Sequence, residues 1–81
     1  MDEGEIRKVA LAELTAIAPE LDATALHPDK ALRSQVDLDS FDWLNFLIAL
    51  HKRLSVDIPE KDYAKLVTLN DLVRYLQARL P

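Results

Sequence analysis

No cysteine occurs among the 81 residues. That excludes a disulfide framework, a thiolate metal site and a thiol nucleophile, so any thiol chemistry has to come from an attached group. A single glycine and four prolines are too few turn-formers for a turn-rich β fold. Long hydrophobic runs are missing too. The longest nearly apolar stretch, Trp43 to Leu50, is broken by Asn45 and falls far short of the roughly 20 residues a membrane-spanning helix needs. Bases are outnumbered, 10 Lys and Arg against 14 Asp and Glu, and the net charge of −4 disfavours nonspecific nucleic-acid binding. The N-terminus, Met1-Asp2-Glu3-Gly4-Glu5, is acidic and lacks the basic-then-apolar pattern of a secretory leader, so the cytoplasm is the expected location.

The residues that are present point to one small domain over 1–81, expected as a monomer. Apolar residues make up 49% and charged residues 30%, a balance that fits a globular chain rather than a disordered one. A domain of this size buries a modest core, so its helices have to pack efficiently. The charge is uneven along the chain. Residues 1–30 carry an acidic excess and residues 61–81 a basic one, which directs a basic partner toward the first part or the Ser40 region.

Periodicity predicts three long helices and one short one. The first covers about residues 3–18, with Ile6, Val9, Ala10, Leu14 and Ile17 near one face and Pro19 as the stop. Residues 19–39 show no clean period and read as a long loop, pinned by Leu21, Leu26, Leu32, Val36 and Leu38. A loop of that length is either functional or hides a short helix near Pro28 to Arg33. The second long helix starts at Asp39 or Ser40, with Asp39 as N-cap, and continues to about Leu54. Its buried face is expected to hold Leu44, Leu47, Leu50 and Leu54. Ser55 to Ile58 is an extended link, and Pro59 opens a brief helix to residue 65. Thr68 and Asp71 form a capping signal for the last helix, with Leu69, Leu72, Val73, Leu76 and Leu80 on its stripe. The fold expected is an all-α bundle.

Asp39-Ser40-Phe41 sits where polar sequence turns into apolar helix. A helix N-terminus favours phosphate through its dipole and its free N–H groups, so a serine there is a good anchor for a phosphate-linked arm. The plain alternative is an unmodified capping serine. Asp37, Asp39 and Asp42 fail as a calcium loop: position 41 is Phe, no Gly follows, and Ile48 stands where the closing Glu belongs. His27 and His51 have no second His or Cys at ligand spacing. No metal site is expected. A hydrolase is a weak reading, because no base accompanies the serine.

Three segments carry a resemblance: Val36-Asp37-Leu38-Asp39-Ser40-Phe41, Val56-Asp57-Ile58-Pro59-Glu60 and Thr68-Leu69-Asn70-Asp71-Leu72. In that order and spacing they resemble the acyl carrier protein family. The resemblance implies an acyl carrier protein-like fold and a carrier that is not itself an enzyme and has no catalytic residue. It implies 4'-phosphopantetheine attached to Ser40 by a phosphopantetheinyl transferase, with Asp39 supporting. Acyl groups would ride on the arm as thioesters, delivered to acyl-activating, acyl-transferring or condensing enzymes. Candidate partner contacts are Phe41, Asp42, Trp43 and Ile48; a tryptophan at such a place also serves as a cap on a small core.

The sequence departs from the family pattern in three places. Asp37 stands where Gly is common, Trp43 where smaller or polar residues are usual, and His51-Lys52-Arg53 where fatty-acid carriers are often acidic. These departures point to a specialised carrier for a fatty-acid, lipid or polyketide-type pathway. Two other readings remain open: a peptidyl carrier, and a carrier-like interaction module whose Ser40 stays unmodified.

Overall fold

A computed structural model describes residues 1–80. Its order is α1 (Glu3–Ile17), a 3-10 turn (Ala23–Ala25), α2 (Leu32–Gln35), α3 (Ser40–Leu54), a 3-10 helix (Glu60–Lys65) and α4 (Leu69–Arg79). The bundle of three long helices is all-α, as expected. Among the described residues the only strand-like feature is an isolated bridge between Ala31 and Thr68.

Each long helix starts where a short polar side chain meets free backbone donors. Asp2 accepts from the Glu5 N–H at 2.8 Å. At α4 the Thr68 hydroxyl accepts from the Asp71 N–H at 3.0 Å while the Asp71 carboxylate accepts from the Thr68 N–H at 3.1 Å, a reciprocal capping box. α3 ends at Ser55, which adopts a left-handed conformation with φ of 55°. Glycine more often takes that position because it has no Cβ to clash. The turn redirects the chain so that Val56 and Ile58 are buried.

Side chains at i, i+4 and i+8 bury one stripe of α1: Ile6, Ala10 and Leu14, all with no exposed surface. α1 packs against both α3 and α4. Phe46, Leu47 and Leu50 from α3 meet Leu72, Val73 and Leu76 from α4 in one core. Burying a Leu, Val or Phe side chain is worth about 1.5–3 kcal/mol. This contiguous set therefore outweighs any single polar contact described below.

Residues 19–39 are more structured than the loop read from the sequence. α2 lies slightly beyond the predicted hidden helix, and Leu32, Val36 and Leu38 are buried as the pinning argument required. Gln35 organises the segment. Its carbonyl oxygen accepts from the His27 N–H at 2.6 Å, and its amide donates to the His27 and Lys30 carbonyls at 2.8 and 3.0 Å. Further along, the Leu32 N–H donates to the Val67 carbonyl at 2.9 Å and the Asn70 N–H to the Pro28 carbonyl at 3.1 Å. Asn70 also accepts from Arg7 at 2.8 Å and donates to Asp29. These bonds satisfy backbone groups that no local helix could satisfy.

Two expectations are corrected. Leu44 is 39% exposed and does not belong to the buried face of α3. At 100° per residue, Leu44 falls with Phe41 and Ile48 on the side opposite Phe46, Leu47, Leu50 and Leu54. Pro59 precedes the short helix as its cap rather than occupying its first position, and that helix is 3-10.

Candidate functional site

Ser40 is the first residue of α3 and is exposed. Asp39, just before it, has extended backbone and caps the helix: its Oδ1 accepts from the Asp42 N–H at 2.8 Å. The Asp39 carbonyl accepts from the Trp43 N–H at 3.0 Å. The N–H groups of Ser40 and Phe41 have no partner among the described residues. The result is a solvent-facing hydroxyl beside two unpaired donors at the positive end of a helix dipole.

Among the described residues, one cation reaches that hydroxyl. A terminal nitrogen of Arg33 in α2 lies 3.4 Å from the Ser40 Oγ, in donor geometry. Among the described residues, no histidine or carboxylate is hydrogen-bonded to the Oγ. Asp37 and Asp39 are exposed and Asp42 is partly exposed, so the Ser40 end of α3 is acidic apart from Arg33. Arg33 was not singled out from the sequence. It lies seven residues from Ser40 across a turn whose path no local pattern specifies.

Phe41 (70% exposed), Leu44 and Ile48 (37%) form an apolar strip on the outer face of α3. Trp43 does not join them. It is 8% exposed, and its ring packs against Phe46 at 5.4 Å between centroids with a 42° tilt. The expectation that Trp43 meets a partner is thus corrected: its position on the inner side of α3 makes it a core side chain. It lines an open pocket of about 200 Å³ together with Arg33, Tyr63, Leu66 and Val67.

The basic run at the end of α3 divides into three different roles. Arg53 pairs with Glu13 of α1 at 3.0 Å. His51 uses Nδ1 in a 2.7 Å hydrogen bond with the Val56 carbonyl. Lys52 has no partner among the described residues, and helical spacing places it in line with Phe41 and Ile48.

A second charged cluster lies between the 3-10 helix and α4. Asp62 is buried, and its Oδ2 accepts from the Tyr75 hydroxyl at 2.6 Å. Arg79 approaches the same oxygen at 3.5 Å, Lys65 approaches Oδ1 at 3.4 Å, and the Arg79 guanidinium stacks 3.6 Å over the Tyr75 ring. The Tyr75 hydrogen bond, aided by the Lys65 and Arg79 charges, holds the Asp62 carboxyl below the usual carboxylate range, against the opposing effect of burial. Burial first, and the Asp62 hydrogen bond second, push the Tyr75 hydroxyl up to about 12.

An all-α bundle presenting an accessible serine at a capped helix start has the form of a carrier rather than a catalyst. The model of the family described as "Phosphopantetheine attachment site" matches residues 8–76, and the chain belongs to that family of phosphopantetheine-binding, non-catalytic carriers. Its sequence is 28% identical to the acyl carrier protein of Helicobacter hepaticus over 78 residues, covering 96% of this chain and 97% of that one. It is also 28% identical to the meromycolate extension acyl carrier protein of Mycolicibacterium aurum over 67 residues, covering 83% and 69%. Among solved structures, the solution structure of a candidate acyl carrier protein from Anaplasma phagocytophilum aligns with a TM-score of 0.84 at 26% identity, over 96% of this chain and 91% of that one. The acyl carrier protein of Enterococcus faecalis, at 20% identity and a TM-score of 0.77 over 98% and 99%, shares the fold. Acyl carrier function follows, with a phosphopantetheinyl transferase and acyl-processing enzymes as the partners the family implies. No helix among the described residues is long and apolar enough to cross a membrane.

Proposed function

We propose that residues 1–81 act as one carrier domain whose Ser40 hydroxyl bears the 4'-phosphopantetheine arm. The observation that carries the proposal is the combination at Ser40: an exposed Oγ, two unpaired N–H groups and the Arg33 guanidinium. Those groups suit a phosphodiester, which is anionic and rich in acceptors. When bound, the arm supplies a terminal thiol that holds acyl groups as thioesters, the one function a chain without cysteine cannot perform alone. Attachment joins Oγ to the phosphorus that bears pantetheine in coenzyme A. The bond to the nucleotide phosphate breaks, adenosine 3',5'-bisphosphate leaves, and the hydroxyl proton passes to a base on the transferase. Asp39 supports attachment by fixing the helix start.

The cargo belongs to a specialised fatty-acid, lipid or polyketide-type pathway in this reading, and the site of action is the cytoplasm. Phe41, Asp42 and Ile48 are the proposed contacts for partner enzymes, supported by their place around the outer face of α3. Leu44 extends that contact, and Lys52 marks its far end. Incubation with coenzyme A and a broad-specificity phosphopantetheinyl transferase should add one phosphopantetheine to the intact mass, and Ser40→Ala should abolish the gain. An unchanged mass for the unsubstituted protein, or an equal gain for Ser40→Ala, would overturn the assignment.

A further inference from the structure

We infer that Arg33 is the counter-ion of the arm: once Ser40 is modified, its guanidinium pairs with the phosphodiester and holds the root of the arm against the start of α3. The inference rests on the proposed modification of Ser40.

The argument begins with charge. The attachment end already carries Asp37, Asp39 and Asp42 within three residues of Ser40. A phosphodiester adds another negative charge there. Arg33 is the cation whose donor reaches the Ser40 Oγ, at 3.4 Å. The phosphorus would be bonded directly to that oxygen, so its free oxygens fall within the reach of the same guanidinium. A guanidinium offers paired donors in a plane that matches two phosphate oxygens, which an ammonium does not.

Placement supports the pairing. The backbone under Arg33 is held on both sides, although its side chain is exposed. Leu32 is fully buried, and its N–H bonds the Val67 carbonyl at 2.9 Å. The Val36 N–H closes α2 on the Leu32 carbonyl at 2.9 Å. The neighbouring Ser34 hydroxyl donates to the Ala31 carbonyl at 2.8 Å, and Gln35 fastens the preceding turn. The guanidinium is therefore presented from a fixed platform, which lowers the ordering cost of the pair. The two unpaired N–H groups of α3 approach the phosphate from the helix, and Arg33 approaches it from α2.

The test compares apo and phosphopantetheinylated forms of the protein, of Arg33→Gln and of Arg33→Lys, with modification scored by intact mass. Attachment should shift the Arg33 side-chain Nε–H resonance of the unsubstituted protein, and added salt should reverse part of that shift. The phosphorus resonance of the modified protein should differ between the unsubstituted form and Arg33→Gln, with Arg33→Lys between them. Modification should lower the thermal midpoint of Arg33→Gln relative to its own apo form by more than it lowers the midpoint of the unsubstituted protein. An Arg33 Nε–H signal unmoved by attachment overturns the inference without need of any variant. So does a phosphorus resonance identical in all three proteins. Absence of mass gain on the unsubstituted protein removes the Ser40 assignment and this inference together. Full modification with none of the Arg33 effects removes this inference alone.

Discussion

The protein gathers charge at two places and treats it in opposite ways. Between the 3-10 helix and α4, Asp62 is buried and surrounded by Tyr75, Lys65 and Arg79. At the start of α3, Asp37, Asp39 and Ser40 are exposed, two backbone donors are unpaired, and Arg33 makes a single long contact to the hydroxyl. A buried carboxylate is tolerated only when its lone pairs are satisfied, so the first cluster is fastened to the fold. The second cluster keeps its hydrogen-bonding capacity in water. That costs the protein little, and it leaves donors available to the arm proposed there. Charge alone does not single out the proposed site in this bundle; what sets it apart is charge and donors left unspent at a rigid edge.

The strongest way to break this contrast is at the aromatic residues near the start of α3. Trp43→Ala removes a large core side chain and should cost about 3–5 kcal/mol in denaturant unfolding, whereas Phe41→Ala, on the outer face, should stay within about 0.5 kcal/mol. A destabilisation by Phe41→Ala equal to that by Trp43→Ala would show that the two faces of α3 have been misassigned. A smaller effect is expected at the buried cluster. Tyr75→Phe deletes the hydroxyl that donates to Asp62 and should cost about 1 kcal/mol, seen as a fall in thermal midpoint of roughly 4–8 °C for a domain of this size. Phosphopantetheine loading of Tyr75→Phe in the native range should be unchanged; impaired loading would mean that the two clusters are coupled.

The most graded test is pH. Asp62 binds its proton more weakly in the folded protein than its ordinary value of 3.8. Its contribution is therefore complete above that value and is lost as pH falls through the lower, folded one. Tyr75 behaves in the opposite sense, since its ordinary 10.0 is raised to about 12. Its contribution is complete below pH 10 and is lost as pH rises toward 12. Thermal midpoints across pH should fall at both extremes, and Tyr75→Phe should flatten both limbs. An alkaline limb unchanged in Tyr75→Phe would remove Tyr75 as its source.

Much of this was legible in the chain. The capping signals at Asp39 and at Thr68 with Asp71 are local, because a side chain three residues from a free N–H needs no tertiary structure to reach it. The stripes of α1 and α4 were equally readable, since their apolar positions recur on one face only. α3 resisted that reading. Apolar residues lie nearly all round it, so composition could not tell Leu44, which is exposed, from Leu47, which is buried. The same ambiguity left Trp43 open between a partner contact and a core side chain.

The sequence by itself determined the all-α class, the three long helices, their starts and the serine proposed as the anchor, because each depends on spacings of three or four residues. Only the tertiary structure decided what surrounds that serine. Arg33 reaches Ser40, Gln35 ties down the turn before it, and Arg53 is drawn to Glu13 across the bundle. These partners are brought together by how the helices bury their shared apolar faces, and that arrangement belongs to the whole fold rather than to any one segment.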